Sequence, residues 1–301
     1  MKTKIFLNSA LLFLFVGLII ISVTGCDREE TIEVKPIFET EEESTNELDE
    51  YLKSSFRDPY GTNIIYKFVD NFVDSRFKVT PPKLEVVKPT LELVKKLWIA
   101  PYNVASDKGE DFLQTYFPAE IVLLGAPIVN ADGSQTLGIA EGGVRVTLTN
   151  INNYDPNDEE WIIKTLRFAH HEFAHMIDQN FNFDVEAFFN ISKEGYTSPN
   201  SWIELTQDEA IARGMVTNYG TSAVTEDFAE LVSMIIVTDP DEFNTKFLAQ
   251  EDCTGQGQNC LDKNEGRKII QQKYDAVVKY LDEDVGIDLL KVRDEFLKNK
   301  N

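Results

Sequence analysis

One segment constrains the fold of this chain more than any other, because residues 155–178 have the pattern of a single long helix. After Pro156 the segment contains neither glycine nor proline, and proline suits the first turn of a helix. Asp155 can cap the helix, and the acidic residues 158–160 favour the positive end of its dipole. At about 100° per residue, the apolar side chains share one face, namely Ile162, Leu166, Ala169, Phe173 and Met176. This pattern predicts a helix packed on a core.

The opposite face of this helix carries histidines. The whole chain has 3 histidines, at positions 170, 171 and 175. His171 and His175 lie about 40° apart on the face turned away from the apolar side chains, close enough to share a metal ion. Glu172 follows directly and can act on a water molecule bound to that metal. His170 points elsewhere, and we interpret it as structural. A pair of solvated surface histidines is the alternative for His171 and His175.

A third metal ligand is sought among the carboxylates. A catalytic zinc has three protein ligands and one open position, and no histidine remains to supply the third. Glu226 and Glu230 are four residues apart, so they share a face if their segment is helical. One can bind the metal while the other accepts a hydrogen bond from the second ring nitrogen of a ligand histidine. Spacing alone does not choose between them.

These motifs together resemble those of known zinc peptidases. Residues 171–178 read His-Glu-Phe-Ala-His-Met-Ile-Asp, residues 219–220 read Tyr-Gly, and residues 226–230 read Glu-Asp-Phe-Ala-Glu. A His-Glu-x-x-His helix followed by a helix that bears glutamate resembles the gluzincins. The closer likeness is to the catalytic domain of anthrax lethal factor and to the zinc-binding metallopeptidases near it. The chain also resembles the zinc metallohydrolase lipoproteins associated with substrate import in Bacteroidetes.

The resemblance implies a zincin-like fold, one Zn²⁺ per chain and a role for each motif residue. His171, His175 and Glu226 would bind the metal, Glu230 would support a ligand histidine, and Tyr219 would stabilise the oxyanion. The opposite assignment, with Glu230 as ligand and Glu226 peripheral, stays open, as does a simple packing role for Tyr219.

Two further residues of the motifs are given lesser roles. Asp178 is better suited to orient or cap than to bind metal. Asp227 departs from the aromatic residue that the resembling proteins often carry at this position, and we expect its side chain to face away from the metal.

We therefore predict a zinc metallohydrolase, in the first place a peptidase in which Glu172 is the general base. An alternative is a zinc-binding lipoprotein without peptidase activity that captures a ligand beside a nutrient-import complex. A hydrolase of a non-peptide amide or a glycan-linked substrate is a third possibility. For a peptide substrate, we expect the strand at residues 144–149 to offer its edge to the extended chain.

The N-terminus predicts export and a lipid anchor. Lys2 and Lys4 precede a short apolar run, and residues 23–26 read Val-Thr-Gly-Cys, which resembles a bacterial lipobox. We expect residues 1–25 to be a signal peptide and Cys26 to be lipidated, with an uncleaved membrane anchor as the alternative. The acidic residues after Cys26 resemble an export signal of surface-exposed Bacteroidetes lipoproteins. The expected location is extracytoplasmic, at the outer membrane, where nutrient-import proteins are candidate partners.

Charge limits the partners of the mature chain. Removing residues 1–25 takes away two lysines and no acid, which leaves 51 acidic and 29 − 2 = 27 basic residues. Such a chain repels phosphate backbones, so we expect no nucleic-acid partner. Residues 26–50 are rich in acids and predict a disordered tether. Cys253 and Cys260 are the remaining cysteines, and we expect them to form a disulfide in an oxidising compartment.

The order of elements predicts an α+β fold in residues 51–301. Strand patterns at residues 63–69, 121–124 and 144–149 accompany a helical pattern at 84–98, and residues 131–133 favour a turn. These elements predict an N-terminal mixed sheet with helices, including the one that carries His171. The rest is predicted to be mainly helical, with one apolar stripe that runs through Ile270, Tyr274, Val277, Val278 and Leu281 and continues at Leu289, Val292 and Phe296.

Overall fold

A short mixed sheet lies in the N-terminal half of the domain. The computed structural model describes residues 46–67, 79–129, 135–136, 138–141, 144–198 and 200–300. The sheet has the order β1-β2-β6-β5, in which β1, β2 and β6 are parallel and β5 is antiparallel to β6. A separate hairpin joins β3 and β4. The strands are β1 Asn63–Ile65, β2 Glu120–Leu123, β3 Ile128–Val129, β4 Gln135–Thr136, β5 Gly138–Glu141 and β6 Arg145–Leu148.

Helices make up most of the rest, which confirms the predicted α+β class and the helical C-terminal half. Short π-helical segments extend several of them, at Lys53–Arg57, Lys95–Ile99, Asn244–Leu248 and Leu281–Val285. The α-helices are α1 Glu47–Leu52, α2 Asp58–Tyr60, α3 Leu84–Val94, α4 Ala100–Ala105, α5 Glu110–Tyr116, α6 Glu159–Phe181, α7 Val185–Ile191, α8 Gln207–Ala212, α9 Val224–Val237, α10 Pro240–Phe243, α11 Gln258–Tyr280 and α12 Leu289–Lys300. No helix in the described part of the chain is both long and apolar enough to cross a membrane.

The expectation that the strand at residues 144–149 has a free edge is wrong. Strand β6 pairs with β2 on one side and with β5 on the other, so both of its edges are occupied. Val146, Thr147, Leu148 and Thr149 are all buried, although their alternating pattern predicts a half-exposed strand. The outer strand beside β6 is instead β5.

The predicted long helix forms as α6, with a different start. Its cap is Asp158, whose carboxylate accepts a hydrogen bond from the Trp161 N–H at 2.9 Å. Asp155 instead accepts one from the Asn157 N–H at 2.8 Å, within a turn that precedes the helix. The five apolar residues of the predicted face are all buried, and they set α6 into the main core.

Other boundaries also shift. The helix predicted for residues 84–98 extends through α3, Lys95–Ile99 and α4. The predicted tether ends too late, because Asn46 caps α1 by accepting a hydrogen bond from the Asp49 N–H, and the compact unit spans residues 46–301. The strand predicted at 63–69 ends at Ile65. Residues 68–69, the turn at 131–133, the signal peptide and Cys26 lie outside the described residues.

Candidate metal centre

Helices α6 and α9 pack against each other and bring the candidate ligands together. His171 and His175 lie one turn apart on α6, and Glu226 lies in the first turn of α9. The His171 side chain is buried, while the side chains of His175 and Glu226 are partly exposed. The three residues therefore meet at a partly covered surface between the two helices.

The spacing of the three ligand atoms is close to that of a zinc site. Nε2 of His171 lies 3.1 Å from Oε2 of Glu226 and 3.1 Å from Nε2 of His175, and the latter nitrogen lies 3.4 Å from the same oxygen. Zinc binds histidine nitrogen and carboxylate oxygen at about 2.0–2.2 Å in tetrahedral geometry, so two ligands are about 3.3–3.5 Å apart. Two imidazoles and one carboxylate are also the donor set of catalytic zinc. The residues present therefore fit the metal.

Glu230 lies on the other side of the His171 ring. Its Oε1 is 2.9 Å from Nδ1 of His171, and its other oxygen pairs with Arg167. Among the described residues, the candidate metal group contains Glu226 and not Glu230. The structure thus places Glu226 beside the facing nitrogens of His171 and His175, and Glu230 behind the His171 ring. A carboxylate behind a ligand histidine orients its ring and raises its basicity.

The carboxylates dominate the electrostatics of the site. Burial acts to lower the pKa of His171, but Glu226 and Glu230 outweigh it and raise that pKa to about 9. Burial acts to raise the pKa of Glu226, yet hydrogen bonds from His171 and His175 lower it to about 2. Glu226 is therefore ionised at neutral pH, which is the form that binds a metal ion.

Glu172 and Tyr219 border the same site. Burial raises the pKa of Glu172 against the opposing charges of His171 and His175. The Tyr219 ring lies 6.2 Å from the His171 ring and packs edge-on against Trp202 at 4.9 Å. Burial, with Glu226 next to it, raises the pKa of the Tyr219 hydroxyl, so this group is a hydrogen-bond donor at neutral pH.

The other singled-out residues have contacts of their own. The Asp178 carboxylate accepts a hydrogen bond from the backbone N–H of Phe183, just beyond the end of α6, which is a capping contact. Asp227 is buried and contacts Lys273. His170 is fully buried in the core. Cys253 and Cys260 form a disulfide.

Two residues of the site had no predicted role. Arg167 pairs with Glu230, and its position one turn before His171 on the same helix face was the available signal. Thr217 contributes a side-chain hydrogen bond to Glu230 and accepts one from the Gly220 N–H at 3.1 Å. It stands in a loop, where no periodic pattern reveals such a contact.

Comparisons with known proteins identify the family of this chain. Residues 41–290 match a family described as "putative zinc-binding metallo-peptidase". A crystal structure of a putative zinc-binding metallo-peptidase from Bacteroides caccae is similar, with a TM-score of 0.67 and 27% sequence identity, over 84% of this chain and 91% of that chain. A search of the curated proteins finds no match. The family match covers most of the sequence, and the chain therefore belongs to this family of zinc-binding metallo-peptidases.

Proposed function

We propose that this protein is a zinc-dependent peptidase of the gluzincin type, in which His171, His175 and Glu226 hold one zinc ion. The observation that carries the proposal is the mutual spacing of the three ligand atoms, 3.1, 3.1 and 3.4 Å. A hydrogen bond could explain each distance taken singly, whereas a shared metal ion explains why all three atoms converge on one point.

Each residue around the site has a task in peptide hydrolysis. Bound zinc supplies a water molecule whose pKa is lowered toward about 7. Glu172 accepts the proton of the attacking water and delivers it to the leaving amine, as general base and then general acid. Tyr219 donates a hydrogen bond toward the developing oxyanion. Glu230 and Arg167 hold the His171 ring in the orientation that keeps Nε2 facing Glu226.

Strand β5 is the better candidate for peptide docking. It pairs with β6 on one side only among the described strands, and α6 packs beside both strands. An extended peptide added to the other edge of β5 would gain main-chain hydrogen bonds beside α6, the helix that carries His171 and His175.

Two single proline variants test this docking strand. Ile139→Pro and Ala140→Pro remove neighbouring N–H groups, which point to opposite sides of a strand. The variant that loses the N–H facing β6 should destabilise the sheet. The variant that loses the N–H on the other side of β5 should raise KM for a peptide at unchanged thermal stability. If the more stable variant retains the KM of the wild type, β5 does not dock the substrate.

Metal analysis tests the ligand set. The protein without its predicted signal peptide and lipidated cysteine, residues 27–301, should bind one zinc. Glu226→Ala should lose the metal, whereas Glu230→Ala should keep most of it because Glu230 acts through His171. Loss of zinc in Glu230→Ala alone would exchange the two roles, and a wild-type protein that binds no zinc would refute the proposal.

The Glu172→Gln variant tests catalysis separately from metal binding. It should retain zinc and lower peptide hydrolysis about 10²–10⁴-fold, the typical contribution of a general base. A zinc-loaded wild type that cleaves no member of a peptide library would instead favour ligand capture or a non-peptide substrate.

The proposal includes an anchor at the bacterial outer membrane through Cys26. Its support is the basic and apolar N-terminus followed by Val-Thr-Gly-Cys at residues 23–26. A Cys26→Ser variant of the full chain should lose the incorporation of labelled fatty acid that the wild type shows. Equal labelling of both proteins would contradict lipidation at this residue.

A further inference from the structure

A buried lysine lies behind the first turn of α9. Lys273, on α11, has a side chain only 1% exposed, and its ammonium group donates to two acceptors. It donates to the Asp227 carboxylate at 2.5 Å and to the Gly214 carbonyl oxygen at 2.9 Å. Burial of two charges is costly unless their geometry and hydrogen bonds compensate, so these contacts fix both side chains in place.

Asp227 is held from a second direction. The Tyr196 hydroxyl donates a hydrogen bond to the same Asp227 oxygen, Oδ2, at 2.8 Å. The Lys273 ammonium lies 5.4 Å from the centre of the Tyr196 ring and 5.5 Å from that of Phe188. Two groups from separate parts of the chain therefore converge on one carboxylate of α9. We call Tyr196, Asp227 and Lys273 the α9 clasp.

The clasp holds a helix start that lacks a cap of its own. Ala223 occupies the cap position of α9 and offers no side-chain hydrogen bond, so the exposed N–H groups of the first turn lack this usual partner. Glu226 belongs to this turn and directly precedes Asp227. Without tertiary contacts, such a helix end frays.

The turn that carries Tyr219 rests on the same residue. Gly220 lies against Asp227, because a Cβ on the glycine would meet the Asp227 Cα atom at 3.4 Å, an ordinary packing distance. A shift of Asp227 would therefore move Glu226 on one side and Tyr219 on the other.

We propose that the α9 clasp is a positioning device, through which Lys273 on α11 holds Glu226 in its metal-binding place and so sets the affinity for zinc. The inference rests on the proposed function, because it takes Glu226 as a zinc ligand. Lys273 and Asp227 act through their neighbours and contact neither substrate nor metal.

The test measures zinc affinity after both charges of the buried pair have been removed, which leaves the net charge of the protein unchanged. In Asp227→Asn/Lys273→Met both buried charges are removed together, so no unpaired charge remains to unfold the domain. The matched control is Arg267→Met, which removes another buried cation of α11, one that donates to Glu251 at 2.5 Å and to the Lys246 carbonyl oxygen at 3.2 Å, away from α9. Zinc Kd is measured by competition with a fluorescent chelator, and thermal unfolding is recorded for each metal-free protein.

The double variant should bind zinc about 10-fold more weakly, the lower end of the usual effect of altered outer-shell contacts. Arg267→Met should keep the wild-type Kd even if its melting temperature falls. Tyr196→Phe, which removes a single hydrogen bond, should weaken zinc binding in the same direction by about 2-fold to 10-fold.

An unchanged Kd in the folded double variant overturns the inference, and so does an equal loss of affinity in Arg267→Met. If the double variant does not fold, Tyr196→Phe decides alone, and an unchanged Kd there overturns the inference. A wild-type protein that binds no zinc refutes the proposed function itself, and this outcome is recognised before any variant is compared.

Discussion

Two neighbouring histidines on α6 lie in regions of opposite character. His170 faces the aromatic core, where its ring stacks on Tyr102 at 5.7 Å and its Nε2 lies 3.1 Å from the Leu97 carbonyl oxygen. His171 faces the carboxylates of Glu226 and Glu230. Both side chains are buried, so burial alone does not distinguish them.

The partners of each ring decide its charge. Burial lowers the pKa of His170 to about 3, against the smaller opposing effect of the Leu97 carbonyl group. Burial also acts against protonation of His171, but two carboxylates raise its pKa to about 9. One helix therefore presents a neutral, structural histidine on its core face and a carboxylate-bound histidine on its site face, in line with the general causes of pKa shifts.

Removal of each histidine in turn is the strongest test of this division. His171→Ala should weaken zinc binding by more than the roughly 10–100-fold that outer-shell changes cost, with loss of peptide hydrolysis. His170→Gln should retain one zinc per chain, because its side chain contacts only the core. Plasma mass spectrometry of both purified variants measures the metal. Equal loss of zinc in the two proteins would contradict the division of the helix into two faces.

The pH dependence of stability tests the core face alone. A folded-state pKa of about 3, below the unfolded value of about 6.5, means that the unfolded chain binds the extra proton. The contribution of His170 is therefore complete above pH ~6.5 and is lost as the pH falls toward 3, by about 2 kcal/mol at pH ~5. Urea unfolding of the metal-free protein at both ends of this range measures the change.

His170→Gln is the control for this titration. The glutamine at position 170 does not bind a proton in this pH range. Between pH ~7.5 and pH ~5, the free energy of unfolding of the variant should therefore decrease by about 2 kcal/mol less than that of the wild type. Because both proteins keep His171 and His175, their titrations cancel in the comparison. Parallel pH profiles for the two proteins would show that His170 is not held neutral by the core.

The smallest expected effect concerns the start of the same helix. Asp158→Ala should lower the free energy of unfolding by about 1 kcal/mol, since it removes the side chain that caps α6. Asp155→Ala should change it by no more than about 0.5 kcal/mol, as is usual for exposed positions. A larger loss of unfolding free energy in Asp155→Ala would instead support Asp155 as the cap, as predicted from the sequence. Urea unfolding of the two variants decides.

Helix α6 was predictable because its information is local. Its apolar face, its polar face and its lack of breakers follow from residues within a few turns of one another, and the five predicted core residues are buried. The cap was misassigned by three residues because Asp155 and Asp158 both precede the helix and both have a capping side chain. Only the backbone geometry shows that Asp158 accepts from the Trp161 N–H.

Strand β6 was misjudged for a different reason. Its alternating residues predict one exposed face, but the packing of α6 and the strand order bury Val146, Thr147 and Leu148. Which edge of a strand is free depends on neighbours distant in sequence, here β2 on one side and β5 on the other. No pattern within the strand carries that information.

The sequence by itself determined which functional groups are available, namely His171, Glu172 and His175 at helical spacing, and two glutamates one turn apart. Helical periodicity fixes such relations within an element. Only the tertiary structure decided that Glu226 meets the histidine nitrogens while Glu230 lies behind His171, and that Lys273 pairs with a residue 46 positions away. Those contacts depend on how α6, α9 and α11 pack, and packing is a property of the whole core rather than of any one segment.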